Sequence, residues 1–119
     1  MPKIENRSEY VYVTPNEPYS AENYRSAVRE VFAVCTQHGY KKILADIRSI
    51  DRQIPMMEKF ELGVFLAQIL GSKIELAILA PAPMIDKMGE NAAVNRGGRV
   101  LVTHDLEEAL RWLRVPAAD

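Results

Sequence analysis

Four short apolar runs, separated by stretches of helical period, constrain this chain more than anything else in it. The runs are Tyr10–Val13, Ile43–Ile47, Ile74–Ala80 and Val100–Val102. The run around Ile43, Leu44, Ala45 and Ile47 is nearly continuous, as in a strand buried on both faces of a parallel sheet. After the first run, Tyr24, Ala27, Val28, Val31, Phe32 and Cys35 recur at helical spacing. A second helix is predicted from Met56. A shorter one runs from about Met84 to Asn95, with Ile85, Met88 and Ala92 inward. A last helix carries Leu106, Ala109, Leu110 and Leu113 as its buried stripe. The order βαβαβαβα predicts an α/β domain with a mainly parallel sheet and right-handed crossovers. The polar residues 1–8 are loosely held or add to the edge of that sheet.

Punctuation agrees with the pattern. Ser20 is a suitable N-cap and Gly39 a helix stop. Pro55 suits a first helical turn, where its missing N–H is not needed. Asp105 with Glu108 reads as a capping box. At 119 residues the whole chain, 1–119, forms one domain. The formal net charge of −1 offers no general attraction to nucleic acid. The lone Cys35 excludes an internal disulfide and fits a reducing, cytoplasmic setting. No apolar run approaches the ~20 residues of a membrane helix, so no membrane insertion is expected. Met1-Pro-Lys-Ile-Glu is not a signal peptide.

Two stretches carry a family resemblance. One is the strand ending Ile43-Leu-Ala-Asp-Ile-Arg48. The other is Asn95-Arg-Gly-Gly-Arg-Val-Leu-Val-Thr-His-Asp-Leu-Glu-Glu-Ala-Leu-Arg-Trp-Leu113. Together they resemble the STAS-like group, the fold group of the SpoIIAA anti-sigma-factor antagonists, and its small bacterial members in particular. The resemblance spans about 9–115. It implies a SpoIIAA-like (βα)4 arrangement with a four- or five-stranded sheet packed with helices. It also implies a non-enzymatic protein-interaction or regulatory module without a cofactor. Phosphorylatable members of the group carry an Asp-Ser-Ser or Asp-Ser-Thr block at the start of the second helix. This chain has Asp51-Arg-Gln-Ile-Pro-Met there. Control by serine phosphorylation is therefore not expected, and the nearest hydroxyl is Ser49.

Several polar residues at loop positions are candidates for chemistry. Asp46 and Asp51 flank the turn after the second strand, on the rim where open α/β sheets take ligands. With no His, Cys or third acid at ligand spacing, they are expected to cap and turn rather than bind metal. His104 beside Asp105 suggests acid–base work, but no nucleophile motif accompanies it. His38 suits a helix C-terminus, and Cys35 falls on an apolar face. Arg96 and Arg99 bracket two glycines and are candidates to hold an anion if backbone N–H groups converge.

The second helix is unusual. Met57, Phe60, Val64 and Ala67 form one stripe, and Leu62, Phe65, Leu66, Ile69 and Leu70 another. One stripe serves an ordinary surface helix. Leu62, Phe65, Leu66 and Ile69 are thus expected to make an intermolecular contact, most simply in a homodimer. The same apolar girth also fits deep burial or the wall of an apolar pocket. The leading expectation is an interaction or regulatory module with a homodimer or protein partner. The first alternative is a carrier or sensor of a small apolar ligand, with the architecture of the lipid-carrying CRAL-TRIO domains. The second is a small hydrolase or transferase using Asp46, Asp51 or His104.

Overall fold

A computed structural model describes residues 2–50 and 53–116. Its elements, in chain order, are β1 (Lys3–Asn6), β2 (Val11–Thr14), α1 (Ala21–His38), β3 (Lys42–Asp46), α2 (Met56–Leu70), β4 (Glu75–Leu79), α3 (Met88–Val94), β5 (Arg99–Thr103) and α4 (Leu106–Leu113). A 3-10 turn spans Ala82–Met84. The five strands form one sheet in sequential order. β1 is an antiparallel edge addition, pairing Lys3 with Thr14 and Asn6 with Val11. β2, β3, β4 and β5 are parallel, with Tyr12 opposite Leu44, Leu44 opposite Ala77, and Ala77 opposite Leu101. The α/β class and the mainly parallel sheet are as the alternation predicts.

Side-chain alternation splits the sheet into two faces. Val11, Val13, Ile43, Leu76 and Val100 point to one face, where Val31 and Cys35 of α1, Leu66 and Leu70 of α2, and Ala93 of α3 meet them. Sequential parallel strands with crossovers of one hand must place their helices on one side. α4 follows the last strand and is free to close the other face. There Leu44, Ala77 and Leu79 pack against Ala109, Leu110 and Leu113. At the amino ends of the strands on that face, Glu75 is buried and pairs with Arg99 and Arg114.

The caps explain several boundaries. The Ser20 hydroxyl accepts from the Asn23 N–H at 3.0 Å, and Gly39 closes α1 in the left-handed region at φ 78°. Asp105 caps α4 by accepting from the Glu107 N–H at 2.9 Å. The expected capping box does not close. Glu108 instead accepts a short hydrogen bond from Thr103, whose hydroxyl accepts from the Asp105 N–H. The strand end and the helix start are thereby joined through one buried threonine.

Two expectations fail here. The predicted helix from Met84 to Asn95 is broken. Lys87 adopts φ 67°, and Asp86 accepts from the Met88 N–H, so α3 starts only at Met88. Ile85 lies outside it. An apolar pattern cannot reveal such a break, because the residues on either side still face the core.

The expected intermolecular face of α2 is also core. Leu62, Phe65 and Leu66 are buried within the single chain, and Ile69 packs half-buried against the main cluster. α2 is enclosed by the sheet, α1 and α3 together, so the second stripe is buried, while of the first Ala67 is buried, Phe60 and Val64 are half-buried and Met57 is exposed. Gly63 lets α3 come close. A Cβ at Gly63 would lie 2.2 Å from the Gly89 carbonyl oxygen. The outermost part of the girth is covered by cations. The Arg25 and Arg29 guanidinium groups lie 5.9 and 5.0 Å from the Phe65 ring centroid, and Arg96 lies 5.0 Å from that of Phe60. Such stacking lets charged side chains shield aromatic surface from water.

Candidate functional site

Where α1 and α2 diverge over the carboxyl ends of the strands, the fold leaves a cavity of about 130 Å³. Its floor is sheet: Val13, Ile43, Ala45, Leu76 and Ile78. Ala27, Val28 and Val31 of α1 form one wall, and Leu66 and Leu70 of α2 the other. The stiff turn Pro15-Asn-Glu-Pro18 rims its mouth, with Ile47, Ile50 and Ile54 from the β3–α2 connection. The Tyr19 hydroxyl donates to Glu58 Oε1 at 2.7 Å, tying that turn to the first turn of α2. The walls are almost wholly apolar, and the cavity is partly open to solvent. Open α/β sheets bind ligands at this end of their strands.

A second cavity, about 80 Å³, lies on the other side of a shared partition. Tyr24, Ile47, Ile54, Leu66 and Ile78 border both spaces. The charged groups of the second cavity are engaged with one another. Lys59 Nζ donates to the Met84 carbonyl oxygen at 2.6 Å and to Asp86 Oδ2 at 3.0 Å. The Met88 N–H and the Lys59 ammonium hold the Asp86 carboxyl below its ordinary range. Lys87 Nζ donates to Glu90 Oε2 and to the Val102 carbonyl oxygen, at 2.7 and 2.8 Å.

The polar residues singled out from sequence do not assemble. Asp46 sits at the end of β3 on the α4 side of the sheet. It accepts from the Tyr12 hydroxyl at 2.6 Å, from Arg48 Nε and Nη2 at 2.9 and 2.7 Å, and from the Arg48 N–H at 3.1 Å. Burial alone would raise its pKa. The Arg48 fork, the Tyr12 hydroxyl and the backbone bond outweigh burial and hold it at about 2. Asp51 lies outside the described residues. Ser49 is exposed in the turn. Arg96 stands at the opposite, amino-end side of the sheet, before β5. Its guanidinium donates to the Ala92 carbonyl oxygen and covers Phe60, while Arg99 pairs with Glu75. The Gly97 and Gly98 N–H groups are bonded to the Val94 and Ala93 carbonyls, so no anion nest forms. His104 is exposed, and its neighbour Asp105 is spent on the cap. Burial pushes the Cys35 thiol up to about 11. Among the described residues, no three His, Cys, Asp or Glu side chains cluster as metal ligands. No described helix is long and apolar enough to cross a membrane.

The Asp46 arrangement has a pH signature. Its folded pKa lies below the unfolded value of ~3.9, so the carboxylate contributes stability that is complete above pH ~4. That contribution is lost as pH falls from ~4 to ~2 through the folded pKa. Because Arg48 is half exposed, screening reduces it to the order of 1 kcal/mol. Urea unfolding of Asp46→Asn should therefore show a shallower loss of stability over this window than the wild type. Equal slopes would mean that the Arg48 fork opens in solution.

The apolar girth of α2 fits a pocket wall, and Leu66 and Leu70 do line the cavity, but nothing in the sequence places that cavity. Tyr24, Ala27, Val28 and Ile78 read from sequence only as core positions of α1 and β4. The available signals are the small side chains Ala27 and Ala45, which both line the cavity, and Pro15 and Pro18 at its mouth. No protein-family model matches the chain, and no curated protein matches its sequence. Its structure is similar to the NMR structure of the protein TM1081, with a TM-score of 0.50 and 21% identity. The match covers 93% of this chain and 86% of that one. At that identity the likeness speaks for a shared α/β fold.

Proposed function

We propose that this protein is a non-enzymatic binding module that holds a small apolar ligand, as a carrier or sensor. The observation that carries this reading is the cavity between α1, α2 and the strand ends, lined by Val13, Val28, Ala45, Leu66 and Ile78. Its shape and chemistry suit burial of a hydrocarbon body, and each buried methylene contributes ~0.8 kcal/mol. The engaged state of the neighbouring ionisable groups supports binding over catalysis.

Toluene titrated into the protein and followed by amide NMR tests this reading. Shifts should saturate and concentrate on residues 24–31, 43–47 and 76–78. Ala27→Trp, which fills the space from the α1 side, should abolish them while leaving the circular dichroism of the fold intact. Absence of localised shifts up to the solubility of toluene would reject it.

A STAS-like interaction module is the second reading, with a homodimer or another protein as partner. It is favoured by Met56 and Met57, which are 55% and 68% exposed at the start of α2 on the same rim. Methionine side chains adapt to irregular partner surfaces. This surface replaces the Leu62, Phe65, Leu66 and Ile69 face, which is internal.

A further inference from the structure

The partition between the two cavities contains one uncommitted polar group. Tyr24 packs between Ile54, Leu62 and the apolar cavity. Tyr12, Tyr19 and Tyr40 donate their hydroxyls to Asp46, Glu58 and the Arg7 carbonyl oxygen. The Tyr24 hydroxyl bonds to no described residue. Yet no fully buried side-chain nitrogen or oxygen among the described residues lacks a partner. The Tyr24 oxygen must therefore keep some open surface, and the spaces its side chain borders are the two cavities. Burial first, and then the neighbouring Tyr19, push its pKa above the ordinary tyrosine value. The group is thus a neutral O–H donor at the partition between the two cavities.

Size and charge narrow what it can meet. An apolar cavity of ~150 Å³ admits benzene, so the space of about 130 Å³ takes a single ring or a short branched chain. No Lys or Arg is found among the described residues lining it, and Glu17 is the one charged side chain there. A carboxylate would shed its water into hydrocarbon without a described cation to meet it. A neutral acceptor loses far less.

We infer that the cavity selects a neutral, ring-sized apolar molecule bearing one hydrogen-bond acceptor, such as an aryl ketone or ester, and that Tyr24 donates to that acceptor. This rests on the apolar-ligand reading and specifies its ligand class.

Toluene, acetophenone and benzoate, titrated separately into the intact protein, test it. Acetophenone should bind about tenfold more tightly than toluene, as one hydrogen bond made within a mainly apolar site allows. Benzoate should bind more weakly than acetophenone. Tyr24→Phe deletes only the hydroxyl, which bonds to none of the described residues. It should erase the acetophenone advantage and leave toluene affinity unchanged. With carbonyl-labelled acetophenone, the carbon-13 signal should move downfield on binding to the wild type and not on binding to Tyr24→Phe. If toluene fails to bind, the apolar-ligand reading falls, and this inference with it. If toluene binds but acetophenone gains nothing, or Tyr24→Phe leaves its gain and its carbonyl shift intact, Tyr24 is not the donor and only this inference falls. Benzoate binding as tightly as acetophenone would overturn the assignment of a neutral ligand.

Discussion

Leu66→Glu should abolish cooperative folding rather than release a soluble monomer. Leu66 is 3% exposed and lies where α2 meets the sheet. The substitution removes a buried leucine, a loss of ~2 kcal/mol. It also places a carboxylate beside Val13, Ile43 and Leu76, with no described Lys or Arg among the residues lining that cavity. An uncompensated buried charge costs ~3–5 kcal/mol. Together these reach ~5–7 kcal/mol, the lower end of the stability of a domain of this size, about 6–18 kcal/mol at ~0.05–0.15 kcal/mol per residue. Protonation of the glutamate relieves part of the penalty, so residual structure should be favoured at acid pH. The measurement is a thermal melt by circular dichroism beside light scattering. A variant that keeps its melt and changes only its oligomeric state would place Leu66 at an interface between chains.

Leu113→Ala probes the other face of the sheet. Leu113 is fully buried, against Leu44, Ala77 and Leu79. α4 is short, and it is the one helix described on that face, so few neighbours can collapse into the space left behind. The loss should fall in the range of ~2–5 kcal/mol for leucine truncation, toward its upper end. Leu110→Ala, at a residue 5% exposed, should lose a comparable amount. Guanidinium unfolding gives the value directly. A loss below ~0.5 kcal/mol, typical of a surface site, would mean that α4 is detached in solution. Because α4 does not line the α1–α2 cavity, a folded Leu113→Ala protein should bind toluene as the wild type does.

These two substitutions mark where sequence reading succeeded and where it failed. The stripe Leu106, Ala109, Leu110 and Leu113 could be read as buried because α4 has one apolar side and one polar side. The stripes of α2 could not be read in the same way. An apolar helix surface states that something covers it, not whether the cover belongs to the same chain. α1, α3 and the arginines of α1 together supply it here.

The sequence by itself determined the α/β class, the order of the four parallel strands and their helices, and most of the helix ends. These follow from local physics: period 2 against period 3.6, Ser20 and Asp105 as caps, and Gly39 in a left-handed stop. Only the tertiary structure decided the rest. It broke the third helix at Lys87, committed Asp46 to Arg48 and Tyr12, and sent Arg96 away from the Asp46 rim. It also left a cavity between α1 and α2 whose lining includes Tyr24. Such features depend on the distance between elements far apart in the chain. A void is made by atoms that fail to meet, and nothing in the periodicity of either helix records how far apart the two will stand.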